Sequence, residues 1–255
     1  MKLSLAGLWQ VSPLTDLSIP QDDIYLPAQL SQALPLSLSQ PEISAQEWHL
    51  MHDIELNDEL TASAVDLVFN QVSHYAEVRL NGVAVYDCLG DGKEYRKNVL
   101  PHLQSGRNRI ELLFLEQDQD WLLEEDINKG NYVGNSLLPI EVASVPYLHF
   151  MRNIRLNQVD VELVWHHGGG CEVLVHLSYE VFKFDLASAS VQFNGVTLQL
   201  PIDMRSDHLT ALFQVEAPEH SLEGEGELLR IEVEAHRYEF FIPLNPSKER
   251  VRFGV

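Results

Sequence analysis

The chain has 255 residues, 45% of them hydrophobic, which is enough for one large domain or two of ordinary size and excludes disorder along the whole length. Its 17 basic against 38 acidic residues leave a formal charge of −21; such a surface repels phosphate backbones and anionic lipid, so no nucleic-acid or membrane partner is expected. The only cysteines, Cys88 and Cys171, form no CxxC pair, no apolar run is long enough to cross a bilayer, and residues 1–9 are followed too soon by Gln10 and Pro13 to read as a signal peptide. These features point to a soluble protein of a reducing compartment, the bacterial cytoplasm.

In chain order, residues 13–46, rich in Pro, Leu, Ser and Gln, lack strand character. A strand opens at Trp48 and runs through Ile54. Residues 65–69 and 76–80 place apolar side chains at alternate positions, the period of a half-buried strand. Asn81-Gly82 follows at once and leads into residues 83–86, a strong hairpin signal because a two-residue type I′ turn needs positive φ at both central positions. Residues 109–115 form another strand, introduced by the turn at 105–108.

The acidic stretch 116–139 again lacks strand character. A strand at 150–156 closes the first block, and a fresh strand at 159–165 opens the second. Residues 171–177 and 189–193 lead to a second Asn-Gly pair, Asn194-Gly195, then residues 196–198 and later strands at 228–235 and 238–244. Many short strands at regular spacing, with almost no helical periodicity, define an all-β protein of two sandwiches. The boundary falls in 156–160, giving domains 1–158 and 159–255. The Val-x-apolar-Asn-Gly-Val run common to both halves reads as shared hairpin chemistry rather than an internal repeat.

Several motifs in the right order resemble family 2 glycoside hydrolases, the group of β-galactosidases, β-glucuronidases and β-mannosidases. Leu5-Ala6-Gly7-Leu8-Trp9 is similar to the family's opening L-x-G-x-W strand, and Val78-Arg79-Leu80-Asn81-Gly82 with Val85 to its V-x-L-N-G-x-x-V hairpin. Leu103, Gly106, Asn108 and Ile110 fit L-x-x-G-x-N-x-I. Residues 150–156 resemble the strand that ends the family's first domain, and residues 250–255 the segment that leads from its second domain to a catalytic barrel. The resemblance implies a jelly-roll, galactose-binding-like sandwich followed by a smaller immunoglobulin-like one. Departures include Leu50 for Tyr, Met151 for Trp or Tyr, and His149 for Gly. The W-D-W-G-P run of β-mannosidases, whose Asp reaches the sugar, has no counterpart in residues 138–144, so sugar contact is not carried over from it.

Hydrolysis by the family's mechanism needs two carboxyl groups about 5–5.5 Å apart on a barrel. The resemblance places the acid/base in an Asn-Glu pair. No Asn-Glu dipeptide occurs in the chain, and after two sandwiches 255 residues leave no room for a barrel of roughly 250. No catalytic residue, metal or cofactor is therefore expected.

The acidic stretch is the most unusual segment. Asp118, Asp120 and Glu124 around Trp121, with Asn131 and Tyr132 further on, have the chemistry to cradle a sugar or a hard cation. The alternative is a solvated loop over a tucked Trp121; the central Gly of an EF-hand is absent. His166 and His167, adjacent on a strand end before three glycines, point to opposite faces and read as a hairpin turn rather than zinc ligands. His49, His52 and Asp53 read as alternation on a half-buried strand, with no nucleophile motif beside them. Three functions remain open: a non-catalytic carbohydrate-recognition or accessory protein; a piece or subunit of a hydrolase whose barrel is elsewhere; and a structural module that associates with itself or another protein.

Overall fold

The computed structural model describes residues 1–56, 61–115, 138–183, 188–216, 218, 226–234, 236–247 and 249–254. The chain divides into two compact units, Lys2–Phe150 and Met151–Val255, with Met1 grouped with the latter. The strands are β1 (Lys2–Ser4), β2 (Gly7–Pro13), β3 (Asp22–Leu26), β4 (Ala28–Gln29), β5 (Trp48–Leu56), β6 (Ala64–Phe69), β7 (Tyr75–Leu80), β8 (Val83–Leu89), β9 (Tyr95–Asn98), β10 (Gly106–Phe114), β11 (Glu141–Val142) and β12 (Tyr147–Met151). They continue as β13 (Ile154–Trp165), β14 (Cys171–Val181), β15 (Ser188–Phe193), β16 (Val196–Pro201), β17 (His208–Val215), β18 (Glu227–Val233), β19 (His236–Ile242) and β20 (Arg250–Gly254). The all-β class expected from the sequence is the class observed.

Among the described residues, the first unit pairs a four-stranded sheet, β1-β12-β6-β9, with a six-stranded one, β3-β2-β5-β10-β7-β8. Period-2 alternation turns one face of each inward. Val65, Leu67 and Phe69 of β6 share a core with Val78 and Leu80 of β7 and Ile110, Leu112 and Phe114 of β10. Each such side chain contributes roughly 1.5–3 kcal/mol by leaving water. Trp9 and Trp48 are fully buried in this core, and each finds a partner for its indole N–H: the Leu5 carbonyl at 3.0 Å and the Ile43 carbonyl at 2.9 Å.

The alternation assigns sides correctly but not solvent. Asp66 faces away from Leu67, as the period requires, yet it is fully buried, and every residue of β6 is buried.

Both Asn-Gly hairpins form in the expected register. Leu80 pairs with Val83 and Phe193 with Val196, around φ values of 52° and 78° at Asn81 and Gly82 and 47° and 76° at Asn194 and Gly195. The tight turn between β18 and β19 uses other chemistry. Val233 pairs with His236, and Glu234 takes φ 54°, so both strands begin and end earlier than residues 228–235 and 238–244 suggested.

Two expectations are corrected. Residues 13–46 are not strandless, for β3 pairs with β2 at the edge of the six-stranded sheet. The same segment holds a short helix, α1 (Gln40–Ser44), whose capping box joins Ser39 and Glu42 and whose Ile43 carbonyl receives Trp48. The prolines and short runs of this segment obscured a five-residue alternation. Residues 150–156 are not one strand either: the chain bends at Arg152 and Asn153 between β12 and β13. β13 then runs unbroken in name through the 158/159 boundary, with a bulge between Leu156 and Gln158, and the compact units part at Phe150/Met151.

The second unit stacks β17-β14-β13-β20 against β16-β15-β18-β19. Residues 250–254, matched by sequence to a segment leaving the domain, form β20, a strand paired with β13. Arg252 Nε donates to Asp160 Oδ1 at 2.7 Å across that pair, and the Phe253 ring lies 4.6 Å from that of Phe240.

Candidate functional site

The sequence-derived ligand residues Asp118, Asp120, Trp121, Glu124, Asn131 and Tyr132 lie outside the described residues. Their anchors are described. The segment follows β10, whose Phe114 pairs with both Trp48 and Ala76, and the chain re-enters at Leu138, whose carbonyl accepts a hydrogen bond from Gln40 Nε2 at 3.1 Å.

His49 and His52 do not converge. Three positions apart on β5, they take opposite faces. His52 turns inward to stack on Trp9 with ring centroids 4.9 Å apart, its Nδ1 2.8 Å from the Leu8 carbonyl oxygen. His49 turns outward, its Nε2 3.5 Å from Glu111 Oε1 but outside hydrogen-bond geometry. Burial pushes the His49 imidazole below its ordinary pKa, and the Glu111 carboxylate pulls it only part of the way back. His166 and His167 are exposed on the turn that joins Trp165 to its partner Cys171. No cluster of three or more His, Cys, Asp or Glu able to hold a metal occurs among the described residues. Both cysteines are buried; desolvation, with Asp87 and Asp91 nearby, pushes the Cys88 thiol up to about 12, the opposite of an activated nucleophile.

What the fold does assemble is the outer face of the six-stranded sheet. Arg109 and Arg107 both hydrogen-bond Asp53, Arg109 through Nε at 2.9 Å and a terminal nitrogen at 3.0 Å. These bonds hold the Asp53 carboxyl well below the usual carboxylate range. Gln10 and Gln21 are joined at 3.2 Å. At the sheet edge Tyr25 stands 70% exposed beside Leu8, its directly paired and also exposed neighbour on β2. An exposed ring two strands, about 10 Å, from fixed donors and acceptors can stack on an apolar C–H face while the polar groups take hydroxyls. Sequence reasoning missed Tyr25. Its signal was the alternation of Asp23 and Tyr25 with the buried Ile24 and Leu26.

Each compact unit is thus a β-sandwich with polar residues on an outer sheet face. Residues 36–154 match the family model described as glycosyl hydrolase 2 galactose-binding domain-like. No curated protein sequence matches the chain. Among solved structures, the chain is similar to a β-D-mannosidase from Dictyoglomus thermophilum at 16% identity and a TM-score of 0.67, covering 100% of this chain and 36% of that one. It is likewise similar to a β-glucuronidase from Bifidobacterium dentium (12% identity, TM-score 0.66, 95% of this chain and 48% of that one). A family 2 glycosyl hydrolase from Bacteroides cellulosilyticus gives 11% identity and a TM-score of 0.63, with 95% and 36% covered. The chain thus spans between about a third and a half of these hydrolases, and at such identities the likeness is one of fold. No helix among the described residues is long and apolar enough to cross a membrane.

Proposed function

We propose that this protein is a non-catalytic carbohydrate-recognition module of the family 2 glycoside hydrolase type. The observation that carries the proposal is the family match over residues 36–154 to a galactose-binding domain-like sandwich. Two parts of the first sandwich are proposed to meet the glycan. One is the Tyr25 edge with the Asp53, Arg107 and Arg109 cluster; the other is the segment 116–135, where Trp121 would stack and Asp118, Asp120, Glu124, Asn131 and Tyr132 would take hydroxyls. Aromatic platforms beside planar polar groups suit pyranose rings, because the ring presents an apolar face and a hydroxylated edge.

The test is a glycan array followed by titration of the retained sugar. Tyr25→Ala or Trp121→Ala should weaken binding at least tenfold while the melting temperature stays put. If neither substitution changes the affinity for a retained glycan, recognition does not use the first sandwich in this way.

A second role is favoured by the coverage, since the chain spans 36–48% of hydrolases that it resembles in fold. In that role the two sandwiches accompany a catalytic barrel, on the same or another chain, and present substrate to it. Turnover of aryl β-galactoside, β-mannoside or β-glucuronide by these 255 residues alone is expected to stay at background. A turnover abolished by changing one carboxylate of this chain would overturn the non-catalytic assignment.

A further inference from the structure

The second sandwich carries a polar face of its own. On the outer side of β16-β15-β18-β19, Ser190, Gln192, Thr197, Arg230, Glu232 and Arg237 line an open groove of about 230 Å³. Sheet register brings them together: Gln192 pairs with Thr197 on one side and Arg230 on the other, and Ser190 with Glu232. The guanidinium groups are fixed in advance. Arg230 Nε donates to Glu239 Oε1 at 2.9 Å and Arg237 Nε to Glu232 Oε1 at 2.7 Å, each across the β18–β19 pair. On the same face, two positions along β19 from Glu239 and so about 7 Å away, Phe241 stands 65% exposed opposite Leu228.

Charge and size narrow the ligand. Two arginines balance Glu232 and Glu239, so the groove is locally neutral inside a chain of formal charge −21. An anion would meet Glu232 and the repulsion of the whole surface; a cation would meet both guanidinium groups. A neutral ligand rich in hydroxyls meets neither. Alternating donors and acceptors of planar shape, with two further hydroxyl groups, satisfy vicinal hydroxyls in pairs, and beyond the end of the groove the exposed Phe241 ring offers an apolar platform. The volume is below the roughly 300–1,000 Å³ of drug-sized pockets, which leaves room for one sugar ring with the next lying along Phe241.

We propose that this groove is a second carbohydrate subsite, selective for a neutral saccharide and separate from the first sandwich. It rests on the carbohydrate-recognition function proposed above and adds a location and a ligand charge to it. A site so open binds weakly, with a dissociation constant on the order of 1–10 mM.

The test is a two-dimensional NMR titration of the full ¹⁵N-labelled chain with lactose and with mannobiose, and with glucuronic acid as the anionic comparator. One neutral disaccharide should shift amide signals of β15, β18 and β19. Phe241→Ala and Arg237→Ala should each weaken those shifts at least fivefold, whereas Tyr25→Ala should leave them unchanged. Exposed cross-strand pairs add little to stability, so these variants should melt with the wild type, and Arg237→Lys should recover only part of the binding because it lacks the planar fork. Shifts confined to the first sandwich and lost in Tyr25→Ala alone would overturn the second subsite and leave carbohydrate recognition standing. Stronger binding of glucuronic acid than of either disaccharide would overturn the neutral selectivity. No shift with any neutral disaccharide would count against both the subsite and the proposed function.

Discussion

The two Asn-Gly hairpins share a dipeptide and nearly the same backbone angles, but their asparagines have different surroundings. Asn194 is an exposed turn residue, and its side chain makes no hydrogen bond among the described residues. Asn81 is a clip. Its Nδ2 donates to the His102 carbonyl at 2.9 Å and to Asn108 Oδ1 at 3.0 Å, and its Oδ1 accepts from the Arg109 amide at 2.8 Å. Asn108 is fully buried and in turn binds the amide and carbonyl of Gln104 and the Gly106 carbonyl. The sequence resemblance used V-x-L-N-G and L-x-x-G-x-N-x-I as separate signatures. In the fold their asparagines bond each other, and together they set the β7–β10 register. One local signal can therefore serve a turn alone or a turn with a tertiary role.

The largest effect expected from this comparison lies one residue before each turn, where the hairpins should behave alike. Leu80 and Phe193 are both fully buried. Leu80→Asp or Phe193→Asp strands a charge in a core and should cost about 3–5 kcal/mol in urea melts. Arg79→Asp, on the outer face, should cost under about 1 kcal/mol. Equal losses for Leu80→Asp and Arg79→Asp would mean that the register is wrong.

Replacing asparagine by glycine keeps the positive φ and removes only the side chain, and here the hairpins should part. Asn81→Gly should cost about 2–3 kcal/mol, because three hydrogen bonds go and buried Asn108 loses a partner. Asn194→Gly should change stability by less than about 0.5 kcal/mol. Similar values in chemical denaturation would make Asn81 a turn residue and nothing more.

Smaller still, Gly82→Ala and Gly195→Ala should each cost about 1 kcal/mol. A Cβ at either position meets no atom within 4 Å, so only the positive φ opposes it. A markedly larger loss at Gly82, seen by thermal melting, would place another contact on the first hairpin.

The smallest expected effect compares one arginine-bound carboxylate in each unit, Asp53 and Asp160. Hydrogen bonds from Arg109 and Arg107 lower the Asp53 pKa; at Asp160 burial acts upward, but the bonds from Arg252 and Gln158 outweigh it and the net direction is down. A folded-state pKa below the unfolded value of about 3.9 gives stability that is present above that value and is lost as pH falls through the folded one. Melts between pH 7 and pH 3 should therefore show an acid-side decline that shrinks in Asp53→Asn and Asp160→Asn. Asp53 lies in a partly exposed pair, and solvent screening keeps its share under about 1 kcal/mol. An unchanged acid limb in both variants would assign the decline to other carboxylates.

Much of the fold was legible residue by residue. Alternation in residues 65–69 and 76–80 marked strands and their inward faces, and the turns at Asn81 and Asn194 were fixed by the left-handed backbone that Asn-Gly tolerates. β3 was hidden because only five residues alternate between prolines, and with it went Tyr25. The sheet faces were less legible than the core. Nothing local says that Arg107 and Arg109 reach Asp53, more than fifty positions earlier in the chain.

The sequence by itself determined strand positions, hairpin turns and the side of the sheet each residue takes, since these follow from a two-residue period and from φ preferences acting over neighbouring residues. Only the tertiary structure decided which strands lie side by side: β3 against β2, β20 against β13 with Asp160 bound to Arg252, and the strands that gather Gln192, Arg230 and Arg237 on one face. It also decided that Asp66 would be buried and Tyr25 exposed, although both face away from their sheet's core. The reason is that pairing and covering join residues distant in the chain, and the pleat specifies a direction for each side chain but not what it meets there.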